Sequence, residues 1–487
     1  MNYTKPGFAT EDEIKMATIE VELSNKKQLG NVYSGTMVRS DGEKMLVLPA
    51  ETHSIAVSTS GSGKTRCVIM PSVLQNAKAE NSMIITDIKG EIHKELGNYL
   101  RLQGYNVIVI DFDDPVDSTH YNVLSPIEQL YKNGRKKAAG DLLADVSEIL
   151  MSGLHSEKDP YWEITAQELF CGIANFILSI GESLTLSNMW NVYEHASDNR
   201  RGFKQMLQME KTKFKNALIG MNSFLVAPAD TANSISAVFS TGMNRLIQND
   251  DVRRMVSTSD FEFRSVIEDK TAIFLKTNEL SLASSGSLLS AIVRVFYAEL
   301  IYLASQTESG SLQRQVSFLL DEFGNMPAIS HIDQMVSLSR SRNIFFTLCL
   351  QSYAQLRYRY GDEIAKVIEG CTPNWVYLYS PEQELLNKIS KIAGSYTDDD
   401  GVERPVISVS QLRQFVKKNA MGCTQALVIS AGRLRPVITY LPDISMYPCL
   451  KEATRVARQR SKKKERELTK SMGKNKYVLD VSMAFRR

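Results

Sequence analysis

Ser58-Thr59-Ser60-Gly61-Ser62-Gly63-Lys64-Thr65, read together with Val316-Ser317-Phe318-Leu319-Leu320-Asp321-Glu322 far downstream, decides the fold. The first stretch fits a phosphate-binding loop, in which backbone N–H groups wrap the phosphates, a lysine reaches the β/γ-phosphates and a Ser/Thr hydroxyl holds Mg2+. The second is a buried apolar strand ending in the aspartate that completes such a metal site. The pattern G-x-x-x-x-G-K-[ST] asks for glycine where Ser58 stands, but Gly61 and Gly63, at the points of closest backbone approach, are present. Ser54-Ile55-Ala56-Val57 predicts a strand entering the loop, and Thr65–Met70 a helix leaving it with its N-terminus towards the phosphates. A Gly/Ser-rich turn with an incidental lysine is the plainer reading, and the strand, the helix and the downstream acidic pair argue against it. Loop and acids together predict a chain that binds and hydrolyses a nucleoside triphosphate.

A chain of 487 residues, 43% hydrophobic and 23% charged, is long enough for two or three globular units with sizeable cores. The formal net charge of +2 leaves any attraction to nucleic acid to local patches. Cys67, Cys171, Cys349, Cys371, Cys423 and Cys449 are scattered singly without C-x-x-C spacing, which argues against a structural zinc site or a disulfide framework and for a reducing cytoplasm. The opening Met1-Asn2-Tyr3-Thr4-Lys5 lacks the apolar segment of a signal peptide. The apolar runs near Leu169–Ile180 and Ala291–Ala304 are too short or carry Arg294 and Glu299, so both are expected as buried helices.

The expected fold class is α/β with a mainly parallel sheet. Met83–Asp87 and Val107–Asp111 are continuously apolar strands separated by a helix from about Glu91 to Gln103, the signature of a parallel sheet covered on both faces. Their terminal acids, Asp87 and Asp111, are expected at the crevice beyond the strand ends, with capping of the next turn as the other reading, favoured for Asp111. Residues 1–50 lead into the nucleotide-binding domain, whose first part is 51–126. Over 127–249 the apolar residues recur at helical spacing, as in Trp162, Ala166, Leu169, Phe170, Ile173 and Ile177, which predicts an inserted all-α domain. Residues 250–450 return to the nucleotide-binding domain with the acidic strand, a helix around His331–Ser341 and the strand Ile344–Gln351, whose glutamine is placed to sense a γ-phosphate or position water. Strands at Trp375–Tyr379, Gln425–Ser430 and Val437–Leu441 extend the sheet. The tail, 451–487, carries Arg455, Arg458, Arg460, Lys462, Lys463, Lys464 and Arg466 against Glu452, Glu465 and Glu467, a run suited to phosphate backbones or to solvent alone.

In this order the motifs resemble the ATPase portion of the type IV secretion coupling proteins, the TraG/VirD-type conjugative DNA-transfer family among the RecA-like hexameric motors. The likeness runs from about Leu29 to Leu441. It rests on Gly61-Ser62-Gly63-Lys64-Thr65, on Asp87-Ile88-Lys89-Gly90-Glu91 and on Tyr121-Asn122-Val123-Leu124. It continues through Trp162 and Ala166, Leu320-Asp321-Glu322-Phe323-Gly324, Gln351-Ser352, Gln355-Leu356 and Tyr360-Gly361. Ser58, Ile88 and Val123 depart from the family pattern. The resemblance implies a RecA-like P-loop NTPase with an all-α insertion, using ATP and Mg2+, active as a homo-hexamer. Its implied partners are DNA, bound largely without regard to sequence, relaxase or relaxosome proteins, and the secretion channel proteins. Family members usually carry N-terminal transmembrane helices, so either the chain is truncated or a separate membrane-anchoring subunit holds it at the inner face of the cell membrane. A cytosolic DNA translocase for partition or packaging, and an ATP-binding docking receptor without motor activity, are the other readings.

By residue type, Gly61, Ser62, Gly63, Lys64, Thr65 and Arg66 bind the nucleotide, and Thr65 and Asp321 hold Mg2+. Glu322 is the base that polarises water, with a salt-bridge role as its plainer alternative. Lys64 and Gln351 complete the chemistry. Arg340 and Arg342 precede the glutamine strand, and Arg340 stands where the family's arginine does relative to Gln351, as a group supplied across a subunit boundary or as a surface arginine.

Overall fold

The structure, a computed structural model, describes residues 6–24, 34–49, 52–153, 160–416 and 418–455. A short helix, α1 (Glu11–Ala17), precedes a three-stranded antiparallel sheet of β1 (Ile19–Glu22), β2 (Gly35–Ser40) and β3 (Lys44–Pro49). The central sheet follows: β4 (Ser54–Val57), β5 (Ser82–Asp87), β6 (Asn106–Asp111), β7 (Thr271–Lys276), β8 (Val316–Leu320), β9 (Ile344–Leu350) and β10 (Asn374–Tyr377). A small hairpin, β11 (Ser395–Thr397) and β12 (Glu403–Pro405), stands apart, and β13 (Thr424–Ser430) and β14 (Leu434–Leu441) close the central sheet. Its order is β14-β13-β10-β4-β9-β8-β5-β7-β6. From β10 to β6 every neighbouring pair is parallel, and β13 and β14 add an antiparallel edge.

The strands are apolar throughout because both faces are covered. On β5, Ile84 enters the core on one face while Met83 and Ile85 enter the core on the other, the two-residue alternation of a strand. One face packs on α2 (Met70–Lys78) and α3 (Glu91–Leu102), the other on the remaining large helices. Among the described residues nine helices run from α4 (Ser125–Lys132) to α12 (Ser265–Glu268) before β7 resumes the sheet, so helical structure continues past residue 249. Within them α5 (Lys136–Leu150), α6 (Tyr161–Ile180) and α9 (Lys215–Val226) share one apolar core with the sheet-covering helix α13 (Leu282–Ser305). At the α6–α9 crossing a Cβ on Gly220 would lie 2.7 Å from the Gly172 backbone, so glycine is what lets these helices approach.

By length and composition α13 is apolar enough to cross a membrane, but 72% of its most apolar window is buried inside the fold. Its Arg294 pairs with the buried Asp145 of α5, which also lies 3.3 Å from His331 Nε2. The insertion is thereby tied to the segment that follows the acidic strand. Beyond α13 come α14 (Ile332–Leu338), a 3-10 turn over Ser339–Arg342, and α15 (Tyr353–Cys371), which breaks at Gly361. The basic tail after Arg455 and parts of the N-terminal region, residues 1–5 and 25–33, lie outside the described residues.

Candidate nucleotide-binding and catalytic site

The loop after β4 is pinned at its start from both neighbouring strands. Ser58 N–H donates to Leu350 O at 3.1 Å and Thr59 N–H to Tyr379 O at 3.0 Å. Ser58 is fully buried and its hydroxyl donates to Tyr379 O at 3.0 Å. Left-handed φ values occur at Gly61 (72°) and Gly63 (94°) but not at Ser58. The first position therefore needs no glycine, and its side chain has a partner, which explains the departure from the motif. Lys64 is buried, with Nζ donating to the Ser58 and Thr59 carbonyl oxygens. Thr65 opens a π-helical turn, Thr65–Ile69, that runs into α2.

Thr65 Oγ1 donates to Asp321 Oδ2 at 2.7 Å, and Thr86 Oγ1 braces the Asp321 carbonyl at 2.9 Å. Asp321 Oδ1 is buried with no hydrogen-bond partner among the described residues, and burial pushes the carboxyl up to about 6 against the lowering effect of the Thr65 bond. A bare carboxylate oxygen beside a hydroxyl fits Mg2+, which binds through one or two protein oxygens and keeps several waters. Thr65 and Asp321 would hold the ion. An aspartate whose folded pKa lies above its ordinary ~3.9 keeps its proton longer in the native state, so it lowers stability as pH rises from about 4 to about 6. Asp321→Asn is accordingly expected to raise Tm by roughly 2–4 °C at pH 7.5 in Mg2+-free buffer, with little change at pH 4. The same variant loses the extra stabilisation that Mg2+ and nucleotide together confer on the parent. Calorimetry of both proteins at the two pH values checks this; a lower Tm for the variant at pH 7.5 would contradict it.

Glu322 follows in the left-handed region, φ 55°, and is buried. Such a backbone at a residue with a side chain costs of the order of 1 kcal/mol and is kept where a carboxylate must be aimed. Its Oε2 accepts from Gln351 Nε2 at 2.6 Å and from Asn325 Nδ2 at 2.7 Å, while Lys89 Nζ stands 3.9 Å from Oε1. Gln351 gets there because β9 lies between the loop strand β4 and the acid strand β8. Lys64, Thr65, Asp321, Glu322 and Gln351 thus gather at the carboxyl ends of three adjacent parallel strands.

The remaining residues singled out by sequence have other partners. Arg66 donates to both carboxylate oxygens of Asp443, at 2.9 and 2.7 Å. Asp87 does not face the crevice: its carboxylate accepts the Ile92 and His93 N–H groups at 3.2 and 2.8 Å, capping α3. Asp111 sits on the edge strand β6, accepts from Asp113 N–H and pairs with Lys276. Both acids serve the turns that follow their strands, whose exposed N–H groups they satisfy. Arg340 lies in the 3-10 turn before β9, at the end of that strand remote from Gln351, exposed and without a side-chain hydrogen bond or ion pair among the described residues. Arg342, by contrast, is held on the Gly310 carbonyl oxygen. Lys89 and Asn325 had no role from sequence reasoning. A lysine just past an apolar strand was the available signal for Lys89, but only the sheet order puts β5 beside β8.

A parallel sheet whose loop strand and acid strand flank a polar-tipped strand has the P-loop fold in the RecA-like arrangement. The chain belongs to the type IV secretory system conjugative DNA transfer family, whose model matches residues 8–417. It is similar to protein VirD4 of Agrobacterium fabrum, 22% identical over 368 residues that cover 75% of this chain and 52% of that one. The chain thus spans about half the length of this curated relative. Among solved structures it resembles the plasmid coupling protein TrwB in complex with the ATP analogue ADPNP, with TM-score 0.60 and 14% identity over 89% of this chain and 92% of that one. TrwB in complex with ADP and Mg2+ matches with TM-score 0.59 and 13% identity over the same shares, 89% and 92%.

Proposed function

We propose that the protein is an ATP-hydrolysing coupling protein that recruits a DNA–relaxase substrate and drives it through a type IV secretion channel during conjugation. The observation that carries this reading is the part-buried Thr65–Asp321 contact, with Asp321 Oδ1 bare among the described residues and Glu322 next to it, facing the loop after β4. Lys64 exchanges its carbonyl partners for the β/γ-phosphates. Thr65 and Asp321 would hold Mg2+, which would supply neutralisation of the phosphate charge. Glu322 accepts a proton from water as the water oxygen attacks the γ-phosphorus and the bond to the leaving ADP oxygen breaks. Gln351, at hydrogen-bond distance from Glu322, orients that water or senses the γ-phosphate.

Family membership and the nucleotide complexes of the TrwB fold support the reading. In it, the active form is a homo-hexamer that grips DNA phosphates in a central channel largely without regard to sequence. The all-α insertion helps select relaxosome cargo. Secretion channel proteins, or a separate membrane-anchoring subunit, hold the motor at the inner face of the cell membrane. The test is ATP turnover with and without DNA. Mg2+-dependent hydrolysis that DNA stimulates is expected, together with loss of conjugative transfer when the gene is deleted. Nucleotide binding without turnover at any DNA concentration would leave a docking receptor instead.

A further inference from the structure

Glu322 is held by more than the residues that meet the nucleotide. Its Oε2 takes the Asn325 amide at 2.7 Å, and Asn325 Oδ1 in turn accepts Gln355 Nε2 at 3.2 Å. Asn325 is itself fixed, its N–H closing a turn on the Glu322 carbonyl at 2.8 Å. Gln355 stands in the first turn of α15, which is anchored beside it: Ser352 Oγ accepts the Gln355 N–H at 3.1 Å and the Glu382 carboxylate accepts those of Tyr353 and Ala354. The Gln355 amide packs on the turn so closely that a Cβ at Gly324 would come within 3.1 Å of its Oε1. That oxygen is buried with no partner among the described residues, a cost that is retained although a methionine of similar shape would remove it. A second clamp adds to the first, since Phe323 stacks on Tyr360 of α15 with centroids 5.4 Å apart.

We propose that Asn325 and Gln355 form a positioning relay that holds Glu322 Oε2, so that Oε1 is the oxygen presented to the attacking water. This rests on the reading of Glu322 as the base. Gln351 shares Oε2 with Asn325, but it lies past the end of β9, where it can turn to a γ-phosphate. Asn325, in the same turn as Glu322 and backed by Gln355, keeps its hold when that happens. The relay thus makes α15 part of the catalytic apparatus without touching substrate.

The experiment measures steady-state turnover of the full chain at saturating DNA, alongside ADPNP affinity and thermal unfolding. Asn325→Ala is expected to lower kcat by about 10-fold, with KM and ADPNP affinity changed by less than about twofold, because misaiming a catalytic group costs rate and not binding. Asn325→Asp, the same shape without a donor, falls at least as far, whereas Asn325→Ser recovers part of the loss. Gln355→Met lowers kcat by about threefold, and adding it to Asn325→Ala brings no further loss, since the two act in series. Should Asn325→Ala fail to fold, Asn325→Ser and Gln355→Met carry the test. Parental kcat in these variants, parallel losses of binding and turnover, or additive losses in the double variant would overturn the relay. Glu322→Gln run beside them separates the two levels: if it is dead while Asn325→Ala turns over normally, the relay alone falls. Turnover by Glu322→Gln at the parental rate removes the base and the relay together.

Discussion

Glu322→Gln is expected to lower ATP turnover by about 10³-fold and to leave nucleotide binding intact. The substitution keeps the shape of the side chain and removes its charge and basicity. Its surroundings accept an amide: one oxygen remains to receive the Gln351 and Asn325 donors, and the loss of attraction to Lys89, 3.9 Å away and half-exposed, costs little. The fold therefore survives, because Glu322 contributes to no apolar core. Lys64→Ala also abolishes hydrolysis, but through the phosphates, so its loss includes affinity for ATP. The two variants differ in one measurement: Glu322→Gln retains ADPNP at near-parental affinity and Lys64→Ala does not. Parental turnover by Glu322→Gln would make the carboxylate a salt-bridge partner and no base.

Arg340→Ala is expected to lower turnover by about 10³-fold, and a mixture of Arg340→Ala with Lys64→Ala subunits to regain a measurable fraction of it. The reason is geometric. Strand β9, Ile344–Leu350, separates Arg340 from Gln351, about 20 Å at ~3.3 Å per residue. Arg340 cannot reach the nucleotide of its own chain, yet it is exposed and its side chain has no hydrogen bond or ion pair among the described residues. Arg342 is engaged on Gly310 and does not compete for the role. In a ring, the site of one subunit would meet the Arg340 end of the next, so a subunit lacking Lys64 still supplies an arginine, and one lacking Arg340 still supplies a loop. Full activity of Arg340→Ala by itself would return this residue to the surface, and an inactive mixture would place any contribution within one chain.

The sequence by itself determined the phosphate chemistry. Gly61, Gly63, Lys64 and Thr65 are contiguous, and a loop that wraps phosphates with backbone N–H groups is a local object, legible without a fold. Asp321 and Glu322 were legible for a related reason, since an uninterrupted apolar run ending in acids can only be a buried strand delivering them to its carboxyl end. The parallel α/β class followed from the same runs. What the tertiary structure alone decided is which strands are neighbours. Strand order arises when apolar faces pack across crossovers of many residues, and it leaves no mark in any one stretch of chain. It put β9 between β4 and β8, which set Gln351 on Glu322, and β5 beside β8, which brought Lys89 within 3.9 Å of that carboxylate. It bound Arg66 to Asp443 and laid Gln355 of a distant helix against the turn that carries the base. These contacts join residues far apart in the chain through side chains of common type, and only the packed sheet selects them.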